Sequence, residues 1–371
     1  MKTIIIGAGV SGVTAAITIK RNNPNEEVLI IEHLDKPLKK VLATGNGKCN
    51  LTNINIKTLN YKNAGFAKQI IKKDYYEILL NFFESIGFKI KLNGDLIYPM
   101  SESAITVRDC LLLECRHLGI KINVEESLVD YKIKQNKYNV ITNKTKYEID
   151  RLIFATGGKS TPKLGSTGDV ISILEKHNYQ FEAMIPGLCP ITVKENTKEL
   201  NGIRVKARVS LYKDHRVIHQ ESGEVLFKEH GLSGIAIMNT ASLIARDINS
   251  SYLIELDLLE LYTEEETADY LEKHGEKAFL RAYLHPTVAN YFEKNKINPL
   301  FAKRLFFTFD KLSSFDFSQV SVGGLSLTDI KPTLESKLEK NVFFLGELID
   351  VDGPCGGYNL TWAFLTGLMM K

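Results

Sequence analysis

The sequence predicts an α/β fold: a Rossmann-type nucleotide-binding domain built from both ends of the chain, with a second domain inserted between them. Three observations predict it. Residues 1–32 read strand, glycine turn, helix, strand. Continuous apolar strands return at 152–155 and 341–345, as expected of a parallel sheet covered on both faces. After Pro186 the texture changes to short alternating strands and then a helical run, before the parallel-sheet character resumes near Val320.

Taken in order, Ile4, Ile5 and Ile6 form a buried strand, 7–12 the turn, 13–21 a helix and 28–32 the second strand. An amphipathic helix over 74–86 stops at Gly87, a natural left-handed C′ residue. Asn93-Gly94 marks a hairpin, and a helix over about 103–117 ends before Gly119. Alternation from Leu128 to Asp150 predicts an antiparallel meander leading into the buried strand 152–155. Residues 190–230 read as short strands, 205–212 among them. Thr263 is a good N-cap, with Glu264, Glu265 and Glu266 in the first turn, for a helical stretch lasting to about Phe307. Phe306 and Phe307, like Phe82 and Phe83, then fall at helical spacing as core. A strand at 341–345 and a helix at 359–369 close the chain. The expected domains are 1–187 with 318–371, and an insert of 188–317 with strands at about 190–260 and helices at about 263–307.

Composition narrows the function classes. The 371 residues allow roughly two domains of about 100–200 residues each. With 47 basic against 44 acidic side chains the net charge is +3, which offers no concentrated basic face for nucleic acid. Five cysteines without a C-x-x-C pair fit a reduced cytoplasmic protein, and neither a dithiol redox partner nor a metal site is expected. The apolar stretch 4–19 lacks a small-x-small cleavage site and leads straight into a second apolar run at 28–31, so it reads as fold, not signal peptide. No apolar segment reaches the ~18–20 residues that span a bilayer, so no membrane partner is expected.

The chemistry starts at Gly7-Ala8-Gly9-Val10-Ser11-Gly12, which fits G-x-G-x-x-G between a strand and a helix. Gly7 permits the tight turn, Gly9 lets a pyrophosphate approach the backbone, and Gly12 lets helix and strand pack closely. The N-terminus of the helix offers N–H groups to the phosphates, and Val10 and Ser11 of the turn before it belong to the expected cofactor-binding residues. Glu32, followed by His33, ends the second strand, where its carboxylate can accept ribose hydroxyls and repel a 2′-phosphate. Ala155-Thr156-Gly157-Gly158 and Gly346-Glu347 end two further buried strands. Three strand-end motifs on one sheet edge suit an extended dinucleotide, FAD, better than NAD. A second G-x-G-x-x-G is absent, so NAD(P)H is expected only as a transient reductant.

These motifs resemble the HI0933-like and BaiN-like flavoprotein oxidoreductases, in order and over nearly the whole chain. The run Ala43-Thr44-Gly45-Asn46-Gly47-Lys48-Cys49-Asn50-Leu51-Thr52-Asn53 is similar to that family's most specific signature. Tyr98-Pro99-Met100-Ser101, Gly165-Ser166-Thr167-Gly168-Asp169, Gly231-Leu232-Ser233-Gly234 and the C-terminal segment 346–360 continue the resemblance. It implies a glutathione-reductase-type FAD domain and an insert with a β-barrel part and a helical part. It also implies that Thr44 to Asn50 passes close to FAD, and that the segment from Gly356 and Gly357 to Tyr358 and Asn359 presents helix-terminal N–H groups to the isoalloxazine ring. Lys40, Leu128 and Asp352 complete the expected cofactor-binding set. Three departures stand out: Leu38-Lys39-Lys40 replaces the family's Gly-Arg-Lys, His230 lies one position off, and Ile235 stands where proline is usual.

Flavin chemistry needs no protein nucleophile. The candidate catalytic groups are Cys49, Tyr358 and His230, each with a plainer alternative: a packing thiol, a structural tyrosine and a solvated histidine. The expected activity is FAD-dependent electron transfer to a small unsaturated or carbonyl compound. A flavin-dependent RNA-modifying enzyme and a non-catalytic flavin sensor are the alternatives.

Overall fold

The computed structural model describes residues 1–134 and 137–371. The chain forms two compact units, Met1–Ile185 with Val320–Lys371, and Pro186–Gln319.

In the first unit, β1 (Lys2–Ile6), α1 (Val10–Asn22) and β2 (Glu27–Ile31) are followed by α2 (Tyr75–Ser85), α3 (Ala104–His117), β3 (Lys121–Asn123), β4 (Arg151–Phe154), β5 (Val342–Phe344) and α4 (Tyr358–Leu368). The five strands form one parallel sheet in the order β5-β4-β1-β2-β3. All four residues of β4 are buried, which explains why Leu152, Ile153 and Phe154 read as an unbroken apolar run after Arg151. Helix α1 begins at Val10, inside the glycine motif and three residues before the sequence suggests, because Gly9 is its N-cap. It packs on α4 at Gly367, where a Cβ would lie 2.7 Å from both the Ser11 carbonyl oxygen and Thr14 Cβ.

Smaller sheets surround this layer. Thr52–Asn53, Leu96–Pro99 and Ile90–Asn93 pair antiparallel, with Gly94 at φ 57° in the hairpin. Leu128–Lys134, Lys137–Thr142 and Lys146–Ile149 form the meander. Val320–Leu325 departs from expectation: it lies outside the parallel sheet and pairs with Phe181–Gly187. All six of its residues are buried, and a short buried apolar run looks the same in sequence whichever partner it takes.

The second unit holds a closed six-stranded barrel in the order Ile191–Val193, Gly231–Ser233, Arg216–Lys228, Arg204–Lys213, Tyr252–Asp257, Leu305–Leu312. Two of these strands, of 10 and 13 residues, are longer than the short strands expected. Thr263 and Glu266 form a reciprocal capping box at the start of Glu264–His274, and Glu276–Tyr283 and Pro286–Lys294 follow. The helical run ends earlier than expected, at the single turn Pro299–Lys303. Phe306 and Phe307 lie on the closing barrel strand, with Phe307 buried and Phe306 half-buried. Adjacent phenylalanines carry no period of their own, so the barrel decides their conformation. Among the described residues, no helix is long and apolar enough to cross a membrane.

Candidate functional site

Strands β1, β4 and β5 end side by side. Ile6 pairs with Phe154, and Phe154 with Phe344, so Gly7, Ala155 and Leu345 leave the sheet at one edge. Gly7 has φ 102°, and a Cβ there would fall 2.5 Å from the Ala155 carbonyl oxygen. A Cβ on Gly12 would overlap the Gly7 carbonyl, whereas one on Gly9 would meet nothing within 4 Å. The side of the turn facing Gly9 is therefore open, in front of a helix with no side-chain cap and no acid in its first turn. That arrangement favours an anion. Gly346, at φ 65°, closes against Ser11: a Cβ there would lie 2.7 Å from Ser11 Oγ.

Glu32 is 7% exposed and braces the same turn. Its carboxylate accepts the Ala8 N–H at 2.8 Å and the Leu34 N–H at 2.9 Å, and His33 Nδ1 lies 3.3 Å away. Lone pairs remain for a ribose hydroxyl. Leu128 lies two residues beyond Glu126, whose N–H donates to the Glu32 carbonyl at 3.0 Å. At the end of β4 the Thr156 hydroxyl is buried and has no hydrogen-bond partner among the described residues. An open glycine face, an uncapped helix and an orphaned hydroxyl at one sheet edge fit a diphosphate-bearing flavin nucleotide.

Glu347 is occupied by the protein itself. It accepts Ser160 Oγ and the Ser321 N–H at 2.8 Å each on one oxygen, and Lys40 Nζ at 2.8 Å on the other. Gly158 makes room for this cluster, since a Cβ there would lie 3.0 Å from Glu347 Oε1. Gly157 takes φ 71° beside it. Ser321 carries no signal in the sequence, and Lys40 meets Glu347 across 307 residues. Leu38 takes φ 58° while 2% exposed, a left-handed conformation that costs about 1–2 kcal/mol for such a residue.

The signature loop is bent by a run of left-handed residues: Gly45 (φ 55°), Asn46 (φ 54°), Gly47 (φ 83°) and Cys49 (φ 59°). Thr44 Oγ1 donates to the Val41 carbonyl at 2.6 Å, and the Cys49 N–H to the Thr44 carbonyl at 3.0 Å. Cys49 is fully buried, and burial pushes its thiol up to about 11, against a lowering contribution from Thr44. At pH 8 almost none is thiolate. Iodoacetamide at pH 8 is accordingly expected to leave Cys49 unmodified in the native protein and to label it after denaturation, read by peptide mass spectrometry. Labelling of the native protein at the rate of a free thiol would reverse that reading.

The C-terminal turn carries Gly356 (φ 106°) and Gly357 (φ 92°) into α4. Asn359 brackets it, accepting the Gly353 N–H at 2.9 Å and donating to the Gly353 carbonyl at 2.8 Å. Asp352 is 1% exposed, and its carbonyl accepts the Lys62 N–H. Tyr358 is 6% exposed; its hydroxyl accepts from Asn60 Nδ2 at 2.9 Å and the Lys57 N–H at 3.3 Å, which makes it a brace for residues 57–60. His230 lies in the second unit, 78% exposed and 3.9 Å from Glu229, an arrangement that orients no proton.

A model of the HI0933-like protein Rossmann domain matches residues 1–370. The chain belongs to the HI0933-like family. Among relatives of this HI0933-like chain, a 3-dehydro-bile acid delta(4,6)-reductase of Clostridium scindens is 29% identical, aligned over 98% of this chain and 97% of that protein. A ribosomal RNA dihydrouridine synthase of Haemophilus influenzae is 26% identical, over 98% and 96%. The fold is shared with solved flavoenzymes. A flavocytochrome c3 fumarate reductase superposes with TM-score 0.54 at 16% identity, over 99% of this chain and 77% of that one. A 3-ketosteroid delta1-dehydrogenase from Sterolibacterium denitrificans superposes with TM-score 0.52 at 11% identity, over 99% and 98%.

Proposed function

We propose that this FAD-dependent oxidoreductase reduces a polarised carbon–carbon double bond in a small, largely apolar molecule, with FAD lying along the C-terminal edge of the parallel sheet. The observation that carries the reading is the convergence of the open Gly9 face, the orphaned Thr156 hydroxyl and the Gly346 turn at that edge. The N-terminus of α1 holds the diphosphate, and the free lone pairs of Glu32 take the ribose. When bound, FAD supplies hydride transfer. The Gly356–Gly357 turn and the start of α4 direct N–H groups towards the ring. Leu96 and Tyr98 support an apolar substrate: they approach to 3.7 Å and 3.8 Å of the Cβ positions at Gly356 and Gly45. The full-length relative that reduces a 3-dehydro-bile acid supports the same substrate class.

An RNA substrate, as the rRNA-modifying relative's name suggests, has less support here. Three cations on the barrel strands are paired with carboxylates: Arg204 with Glu224, Arg208 with Asp257 and Lys213 with Asp247. Paired charges weaken a phosphate-binding face. The dispersed cysteines, with no C-x-x-C spacing among them, support a reducing, cytoplasmic setting.

The test is an anaerobic absorbance titration of FAD-loaded protein with NADH and NADPH, followed by addition of an α,β-unsaturated ketone. Bleaching, then reoxidation with formation of the saturated ketone, is the expected result. Reoxidation by a uridine-containing RNA and not by any enone would replace the small-molecule reading, and a band that never bleaches would exclude pyridine nucleotide as donor.

A further inference from the structure

We propose that Asn50 is a positioning residue that sets the geometry of the Gly356–Gly357 turn, and is not itself a ligand of the cofactor. Its amide is satisfied in one orientation. The NH2 group donates to the Thr52 carbonyl at 2.9 Å and the Ile97 carbonyl at 3.3 Å, and the amide oxygen accepts the Gly357 N–H at 3.1 Å. Both donor hydrogens are thus committed to backbone, and the oxygen spends one of its two lone pairs on Gly357. One side chain joins the signature loop, two strands of the small antiparallel sheet and the first residue before α4.

The surroundings leave that side chain little freedom. Gly45 presses on it from the loop: a Cβ there, at φ 55°, would lie 3.0 Å from Asn50 N and 3.7 Å from Asn50 Cβ. Cys49, immediately before it, is buried in a left-handed conformation. Gly357 backs onto the next residues of the same strand, where a Cβ would fall 2.6 Å from the Thr52 carbonyl carbon. The hydroxyls of Thr52 and Thr361 meet at 2.6 Å, both fully buried, and tie that strand to the first turn of α4. Asn50 therefore takes the N–H of Gly357 out of the set that α4 can offer. The N–H groups that follow it are left pointing along the helix axis. Which donors face a flavin ring, and at what angle, is decided by an amide that belongs to a loop more than 300 residues upstream. The inference rests on the reading that this turn faces the flavin.

Two replacements separate the roles. Asn50→Asp keeps the shape, but a carboxylate cannot donate to the Thr52 and Ile97 carbonyls, and it adds a negative charge at the turn. Asn50→Ser is neutral and too short to make all three bonds. Thr361→Val removes the hydroxyl pair at the same junction without touching the Gly357 N–H. Hydrogen exchange followed by mass spectrometry on the ligand-free full-length protein is expected to show the Gly357 amide exchanging at least tenfold faster in Asn50→Ser than in wild type, whereas Asn50→Asp, whose carboxylate still accepts that N–H, exchanges more slowly than Asn50→Ser. The Gly357 amide should keep its wild-type rate in Thr361→Val. On FAD-loaded protein, Asn50→Asp is expected to lower the flavin midpoint potential and shift its visible bands, with Thr361→Val close to wild type.

Unchanged exchange at Gly357 in Asn50→Ser would overturn the positioning role, and so would a potential shift in Thr361→Val as large as in Asn50→Asp. Faster exchange in Asn50→Ser with an unchanged potential in Asn50→Asp would keep the hydrogen bond but overturn the link to the flavin. Wild-type protein that takes up no FAD would instead overturn the reading beneath it, whatever the exchange data show.

Discussion

Gly12→Ala is expected to strip the protein of FAD, and Gly9→Ala to weaken FAD binding without any loss of stability. The two glycines are three residues apart and differ in what surrounds them. A Cβ on Gly12 would overlap the Gly7 carbonyl oxygen and press on Ala155 Cβ at 3.2 Å. Backbone on one side and a buried strand end on the other cannot yield as a flexible side chain could. Overpacking of this kind costs about 1–3 kcal/mol or more, and at 1.4 kcal/mol per tenfold it would weaken FAD by roughly a hundredfold if the turn must open to relieve it. Gly9 has nothing within 4 Å of its Cβ position, so alanine there leaves the free protein undisturbed. Its methyl group projects in front of the uncapped α1 N-terminus. FAD titration by fluorescence quenching, paired with thermal melts of the FAD-free protein, reads both effects. Gly9→Ala with wild-type FAD affinity would show that the diphosphate does not approach the turn from that side.

The second large effect is expected far from the site. Arg151 opens β4 and is buried at 7% side-chain exposure against Glu26 at 4%, with an ion-pair distance of 2.6 Å. Its Nε donates to Thr3 Oγ1 at 2.9 Å and its Nη1 to the Lys371 carbonyl at 2.8 Å. The guanidinium thus ties β4, β1, the residue before β2 and the end of the chain together, at the sheet edge opposite the glycine turn. Removing one member of a buried pair strands the other charge, at a cost of about 3–5 kcal/mol. Arg151→Met is expected to lower the urea midpoint accordingly, with little dependence on salt because the pair is shielded from solvent. Arg151→Met with Glu26→Gln should recover much of the loss, since no uncompensated charge remains. FAD affinity of the folded protein should stay near wild type. A double variant no more stable than the single one would mean that the hydrogen bonds to Thr3 and Lys371, and not the charge pair, carry the effect.

How legible the site was depends on where each residue's partners sit. Gly12 and Glu32 could be read directly because their nearest reasons, the Gly7 carbonyl and the Ala8 N–H, lie within one βαβ unit of contiguous chain, whereas the close neighbour of Gly7 is Ala155. The hairpin at Gly94 and the cap at Thr263 were equally visible, since turn and cap chemistry is local. Glu347 was read as a strand-end acid free for the cofactor, whereas the structure commits it to Lys40, Ser160 and Ser321. Tyr358 and His230 were candidates for chemistry from residue type and from their place in the flavin-facing turn and the insert. Burial against Asn60 and exposure beside Glu229 are properties that residue type does not carry.

By itself the sequence determined the Rossmann-type unit, its glycine turn and the carboxylate that answers it, because steric limits at glycine and the burial of continuous apolar strands act over a few neighbouring residues. Tertiary structure alone decided that Val320–Leu325 joins Phe181–Gly187, that Phe306 and Phe307 close a barrel, and that Asn50 holds Gly357. In each of these cases the deciding partner lies tens to hundreds of residues away. A short apolar run or a lone amide has no periodicity to announce that partner, and the choice falls to whichever packing buries the most surface while leaving no hydrogen bond unmade.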